Sequence, residues 1–237
     1  MNLLLLTPAD FLSSETVRIT GRRHRHLVDI LHAAPGQQVR AGLLNGNLGE
    51  ARIDEQDFDS TILTVALTAA PPPPIPVTLL LALPRPKVLR RLLQGVTTIG
   101  IKRIVLLNTT RVDKSYWQSP LLAPEAIEEQ LLLGLEQARD TQLPQVLLRP
   151  RFRPFVEDEL PRLATGHLCL VAHPGSAREC PCAVSEPVVL AIGPEGGFIP
   201  FEMDLFARQG FVPIHLGARA LRVETAVPAL LGRLLPS

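Results

Sequence analysis

The chain has 237 residues, enough for one large domain or two unequal ones. Hydrophobic residues make up 46%, so a sizeable core is within reach. A formal net charge of +1 excludes a whole-molecule field drawing it onto nucleic acid or membrane. Any RNA contact must come from a local patch. The three cysteines, Cys169, Cys180 and Cys182, are odd in number and include a C-x-C pair. They fit neither a disulfide framework nor the usual zinc spacing, and they read as reduced thiols with no metal.

Met1-Asn2-Leu3-Leu4-Leu5-Leu6 resembles the start of a signal peptide, but it lacks a basic n-region and Thr7-Pro8-Ala9-Asp10 cuts the apolar run short. No run reaches transmembrane length, so the expectation is a soluble cytoplasmic protein with no membrane partner. Residues 1–70 read as mostly strand. A short helix is expected from His24 to His32, with Leu27, Ile30 and Leu31 facing inward. Gln38–Leu43 and Leu48–Ile53 flank Leu44-Asn45-Gly46-Asn47, a hairpin signal, and Thr61–Leu67 alternates as a strand does. A small barrel of about five or six strands follows. Arg18, Arg22, Arg23, His24, Arg25 and His26 crowd together, while the rest of the module is acidic. Such concentrated positive charge suits phosphate contacts, and a solvated loop is the plainer alternative.

Pro71-Pro72-Pro73-Pro74-Ile75-Pro76 is a stiff extended spacer, taken as residues 71–76. Residues 77–237 then alternate strand and helix. Strands are predicted at Val77–Leu83, Ile104–Leu107, Val146–Leu148, Leu168–Ala172, Val188–Ile192 and Val212–Leu216. Their unbroken apolar character fits a parallel sheet covered on both faces, hence an α/β layered domain. Leu89, Leu92, Leu93, Val96 and Ile99 form one helical stripe, and Ile127, Leu131, Leu135 and Ala138 another. Pro200 to Gly210 reads as a helix opened by Pro and closed by Gly.

Two apolar strands near the C-terminus each run into a glycine-bearing turn: Leu190-Ala191-Ile192-Gly193-Pro194-Glu195-Gly196-Gly197-Phe198, and Leu216-Gly217-Ala218-Arg219-Ala220-Leu221-Arg222-Val223-Glu224-Thr225-Ala226. Glycines at Gly193, Gly196 and Gly197 allow a ligand to lie against main-chain groups. The spacing matches neither a P-loop nor a dinucleotide fingerprint. Two such turns close together can build one pocket from backbone amides. A helix from Ala226 to Leu234, capped by Thr225, leaves Arg222 and Glu224 in the loop at its positive end and puts Pro228 in its first turn. Helix-start electrostatics for Glu224 and surface charge for the arginines remain open alternatives.

The pair "IGPEGGF" and "LG-x-R-x-LR-x-ETA", in this order, resembles the RsmE family of the SPOUT superfamily of S-adenosylmethionine-dependent rRNA methyltransferases. Arg25-His26-Leu27 with Ile30-Leu31, then Pro35-Gly36-Gln37, resembles that family's PUA-like RNA-binding domain. The resemblance implies a C-terminal trefoil knot, a homodimer, and methylation of N3 of a uridine in 16S rRNA of the small ribosomal subunit. It assigns Gly193, Pro194, Glu195, Gly196 and Gly197 to a first cofactor loop, and Leu216, Gly217, Leu221, Arg222, Thr225 and Ala226 to a second. His173 falls where the first knot loop begins, and is equally readable as a loop histidine. Arg18, Arg22, Arg23 and Arg25 are the implied RNA contacts.

Departures from the family pattern lie outside the cofactor loops: Ile30-Leu31-His32, Gln94 to Gly100, Glu136-Gln137-Ala138-Arg139-Asp140, and Pro228. They suggest a divergent branch with intact cofactor side and altered RNA side. Uracil N3 must be unpaired and lose its proton before it can take a methyl. Charge then spreads onto O2 and O4, where an arginine stabilises it: Arg222, or else Arg219. Glu224 either orients that arginine or takes the proton. Methylation of a base N1 or a ribose 2′-oxygen, and a non-catalytic assembly factor, are the alternatives.

Overall fold

The computed structural model describes residues 2–235. Two compact units are present: Met1–Pro73 with Leu131–Leu143, and Pro74–Gln130 with Pro144–Ser237.

In the first unit, alternating inward side chains build a five-stranded sheet from β1 (Leu4–Leu6), β2 (Thr16–Thr20), β3 (Gln38–Leu43), β4 (Leu48–Gln56) and β5 (Ser60–Ala69), with α1 (Gly21–Arg25) after β2. The order is β1-β3-β4-β5-β2, so β1 and β2 are edges and the described strands do not close a hydrogen-bonded ring. Leu6, Val17, Ile19, Leu27, Ile53 and Leu63 form the core. The expected hairpin is present: β3 and β4 pair antiparallel, and Asn45 takes φ 58° in the turn.

The expected helix through His32 is different. His26–Ile30 is a π-type turn, closed by the Leu31 N–H donating to the His26 carbonyl at 3.0 Å. The extra residue in that turn shifts the phase of the side chains that follow. Leu27 stays buried, but Ile30 and Leu31 are 65% and 47% exposed, so they do not face inward.

Residues 131–143 belong to this unit, away from their neighbours in sequence. Leu135 packs on Leu3 and Leu5, and the buried Glu136 carboxylate takes two hydrogen bonds from Arg22, at 2.5 and 2.9 Å. Arg23 grips Asp10 at 2.6 and 2.7 Å and also donates to the Leu5 carbonyl. Burial opposes ionisation of Asp10. Bonds from Arg23 and from the Thr7 N–H and hydroxyl outweigh it and hold the carboxyl below its ordinary 3.8. A carboxyl depressed in the folded state adds stability above its unfolded value and loses it as pH falls through the folded one. Thermal unfolding followed between pH 5 and about 2 should therefore show a loss of stability beginning near 3.8 and continuing below it. Asp10→Asn should flatten that part of the profile and cost about 1–3 kcal/mol at neutral pH. Identical profiles would rule the pair out as a source of acid lability.

The second unit comprises β6 (Ile75–Ala82), α2 (Pro86–Ile99), β7 (Ile101–Leu107), the first part of α3 (Pro124–Ala138), β8 (Gln145–Arg149), α4 (Phe152–Pro154), α5 (Leu160–Ala164), β9 (Leu168–Ala172), β10 (Val188–Ile192), α6 (Pro200–Arg208), β11 (Val212–Ile214) and α7 (Val223–Leu234). Its sheet has the order β11-β9-β10-β6-β7-β8, and every neighbouring pair is parallel. This is the expected α/β layer arrangement.

Ile75 and Pro76, read from sequence as spacer, are strand. Pro76 sits inside a register shift between Ile75 and Thr78, where a residue without an N–H is tolerated. β11 stops at Ile214 rather than Leu216, and His215 makes only an isolated bridge to Glu179. α7 starts at Val223, not Ala226. The Arg222 carbonyl accepts from the N–H groups of Thr225 (2.9 Å) and Ala226 (2.8 Å), and Val223 is buried, so Arg222 is the N-cap in place of Thr225. Glu224 is therefore in the first helical turn, and Pro228 is interior to the helix, where it removes the N–H that would bond the Glu224 carbonyl.

Candidate functional site

A parallel strand buried on both faces has its backbone paired along its length, so ligand-accessible backbone is found where strands end. β9, β10 and β11 all end on the same edge of the sheet. A pocket opens there. The chain after β9 supplies His173 and Pro174. The turn after β10 supplies Gly193, Pro194, Glu195 and Gly197. The segment after β11 supplies His215, Leu216, Gly217, Arg219, Ala220 and Leu221. Val223, Ala226 and Leu230 of α7 close the apolar floor with the strand ends Ala172, Ile192 and Ile214.

Of the residues singled out from sequence, Gly196, Arg222, Glu224 and Thr225 do not line this pocket. Arg222 and Thr225 are exposed at the start of α7, and Glu224 is half-buried there. Sequence reading missed Pro174, His215, Ala220, Val223, Leu230 and the strand ends. The last apolar residue of each predicted strand was a usable signal for Ala172 and Ile192; the end of β11 at Ile214 and the place of His215 were unmarked.

The first turn is held from several sides. One peptide unit, between Gly196 and Gly197, is fixed at both ends. Its N–H donates to the Pro194 carbonyl at 2.8 Å, and its carbonyl accepts from the Arg111 guanidinium. A Cβ on Gly196 would fall 2.9 Å from Arg111 Cδ, and Gly197 takes φ 71°, so both positions favour glycine. Gly193 lies against Phe198, where a Cβ would be 3.2 Å from the ring. Phe198 packs edge-on to Phe206 at 5.1 Å. Arg85 approaches the Glu195 carboxylate at 3.6 Å. The buried Glu202 carboxylate accepts from the Ile199 N–H at 3.0 Å and the Thr110 N–H at 2.7 Å, tying the turn to the segment after β7.

In the second loop the Gly217 N–H donates to His215 Nδ1 at 2.8 Å, so that nitrogen is an acceptor and the ring proton sits on Nε2. Gly217 takes φ 103°. His173 Nδ1 is buried and has no hydrogen-bond partner among the described residues, and the residue lines the pocket.

In the first unit Arg18 and Arg25 are exposed, while Arg22 and Arg23 hold Glu136 and Asp10. Among the described residues no group of His, Cys, Asp and Glu could hold a metal ion, and no helix is long and apolar enough to cross a membrane. Burial pushes the Cys180 thiol up to about 11, so it is protonated at neutral pH and a poor nucleophile.

Arg111 escaped notice because nothing in its surroundings in sequence distinguishes it from a surface cation. Replacing it with Met should free the Gly196–Gly197 peptide. Hydrogen exchange at the Gly197 amide should quicken about fivefold to tenfold, roughly 1 kcal/mol of lost protection, with little change in unfolding temperature. Unchanged exchange at that amide would show that Pro194 alone holds the turn.

The architecture and the pocket define a class before they define a protein. Residues 71–235 match the model of the RNA methyltransferase domain. Ribosomal RNA small subunit methyltransferase E of Treponema pallidum is 32% identical over 223 residues, covering 87% of this chain and 80% of that protein. Its counterpart 1 of Borreliella burgdorferi is 26% identical over 246 residues, covering 97% and 95%. Among solved structures, ribosomal RNA small subunit methyltransferase E of Neisseria gonorrhoeae bound to S-adenosyl methionine shares the fold. Its TM-score is 0.75 at 22% identity, over 98% of this chain and 95% of that one. A Legionella pneumophila methyltransferase in complex with the same cofactor gives 0.74 at 24% identity, over 97% and 95%. The chain belongs to the RNA methyltransferase family, in the branch that contains ribosomal RNA small subunit methyltransferase E.

Proposed function

We propose that the chain transfers a methyl group from S-adenosylmethionine to N3 of a uridine in 16S rRNA of the small ribosomal subunit, acting as a cytoplasmic homodimer. The observation that carries this reading is the meeting of two glycine turns in one apolar pocket, within a chain of the RNA methyltransferase family.

The pocket fits such a cofactor. Ile192, Leu216, Leu221 and Leu230 offer apolar walls for an adenine, Gly217 has open space where a side chain would stand, and His173 brings a buried nitrogen without a partner. When bound, the cofactor supplies a methyl group on a positively charged sulfur. In this reading Gly193, Pro194, Glu195, Gly196 and Gly197 hold one side of it. Leu216, Gly217, Leu221, Thr225 and Ala226 hold the other, with His173 at the entrance. The exposed Arg222 faces incoming RNA and stabilises charge on O2 and O4 of the deprotonated uracil. Arg219, which lines the pocket, is the second candidate for that role. Glu224 orients the arginine or accepts the N3 proton. The chain excludes water and aligns the reacting atoms, which is most of what an in-line transfer requires.

The finer architecture belongs to the same reading. The first unit, read from sequence as residues 1–70 and completed by 131–143, is a PUA-like RNA-binding module, residues 71–74 are the linker, and the second unit, from β6 onward, is a SPOUT domain whose C-terminal segment is threaded as a trefoil knot. Support for the threading comes from Ala183 and Val184, whose N–H groups donate to the carbonyls of Arg233 and Leu234 at the end of α7. Support for RNA contact comes from the exposed Arg18 and Arg25. Leu221, 42% exposed at the pocket rim, is a surface that a second copy would cover.

Small subunits from a strain lacking the protein, incubated with it and the cofactor, should gain 3-methyluridine in 16S rRNA by nucleoside mass spectrometry. Arg222→Ala should lower turnover about 100-fold or more, a larger loss than any in cofactor affinity measured by calorimetry. Full activity in that variant would transfer the role to Arg219. No cofactor binding by the native chain would favour an RNA-binding assembly factor instead.

A further inference from the structure

A second cavity, of about 300 Å³, opens beyond the ends of β7 and β8 and shares no lining residue with the first. Two aromatic rings border it. Phe152 is anchored edge-on to Phe206 at 5.4 Å, and Phe201 at the start of α6 is 52% exposed. An exposed phenylalanine beside a cavity with hydrogen-bonding groups offers a ring face on which a base can stack. Lys114 and Arg153 bring positive charge. The one carboxylate in the wall, Glu202, already accepts two backbone N–H groups, and Arg153 is paired with Glu157 at 2.9 Å, which leaves Lys114 as the available cation. Asn108 donates its amide to the Pro150 carbonyl, so its own side-chain oxygen remains an acceptor. Thr109 is 5% exposed and its hydroxyl has no partner among the described residues. Buried hydroxyls are rarely left so, and a ligand edge reaching this wall would satisfy it.

We infer that this cavity holds one unpaired nucleotide of the RNA substrate, a neighbour of the target and not the target itself. The base stacks on Phe201 and is read by Asn108 and Thr109, and its phosphate lies on Lys114. This inference rests on the RNA-methylating function proposed above, because the methyl acceptor must sit over the first pocket and only a different nucleotide can enter the second. The stretch from Gly197, in the first cavity, to Phe201, in the second, joins the two, and Glu202 fixes it to the segment after β7. A nucleotide seated on Phe201 would thereby set the register of the next one over the methyl donor. The preference would be for a single-stranded sequence, since a stacked duplex offers no free base face.

The test uses the full chain with two readouts: anisotropy of a labelled single-stranded uridine dodecamer, and steady-state methylation of small subunits. Phe201→Ala should weaken dodecamer binding and raise the KM for subunits, each about tenfold, as expected for one lost stacking contact. The effect should fall on KM more than on kcat. Phe201→Trp should restore both, whereas Phe201→Leu, similar in apolar bulk, should not. Lys114→Gln should reduce the slope of log affinity against log salt by about 0.7. Equal performance of Leu and Trp at position 201, or an unchanged dodecamer affinity in the Ala variant, would overturn the inference. So would a change of oligomeric state in that variant by sedimentation, which would make Phe201 a contact between copies. Methylation by the native chain with no effect at Phe201 removes this site and keeps the function. Absent methylation with weakened dodecamer binding removes the function and keeps the site.

Discussion

The second unit depends on β10 being buried on both faces and hydrogen-bonded on both edges, by β6 on one side and β9 on the other. A strand in that position cannot leave the sheet early, because each unpaired N–H or C=O would be stranded away from water. The chain is thus delivered to one place, the carboxyl edge, and must turn there against its own packed side chains. Gly193 answers the crowding by Phe198, and Gly197 answers the demand for a positive φ. β11 lies beyond β9, two positions out from β10, and its end at the same edge brings the second loop to the pocket. The pocket is a consequence of β9, β10 and β11 ending together at that edge.

Charge near the pocket is divided between holding and acting. Arg111, Arg85 and Glu202 are engaged with the first turn and its continuation, on the Gly196 carbonyl, the Glu195 carboxylate and the Ile199 N–H. These contacts fix a loop otherwise softened by its glycines. Arg219 and Arg222 on the second loop are exposed. The same division appears in the first unit. Arg22 and Arg23 are held by Glu136 and Asp10, while Arg18 and Arg25 face solvent. A basic cluster in sequence is therefore not a basic patch of equal size on the surface.

Much of the second unit was readable because most of its strands contain an unbroken apolar run, as in Leu79–Ala82, Ile104–Leu107 and Val188–Ile192, with Pro, Gly or a polar break beside it. That pattern has few alternatives in a chain of this length. The hairpin at Asn45-Gly46 was readable for a similar reason, since the turn needs a positive φ that few residues adopt. The π-type turn at His26 was not, because nothing local separates a five-residue hydrogen bond from a four-residue one. The start of α7 was misplaced by three residues. Thr225 is the better capping side chain, but the burial of Val223 and the two bonds to the Arg222 carbonyl decide the matter.

The amino-acid sequence by itself determined the α/β class and the two glycine turns, which follow from periodicity and from the backbone freedom of glycine, and the order of the two motifs carried the family resemblance. The tertiary structure alone decided that residues 131–143 join the first unit, that Arg111 fixes the first turn, and that His215 shapes the second. It also decided which of the expected residues face the pocket. The first two are contacts between segments far apart in the chain, while the His215 bond to Gly217 is local and depends on a loop conformation that no residue pattern marked. Local pattern records the preference of a segment for its own conformation, and carries no record of which distant side chain will meet it.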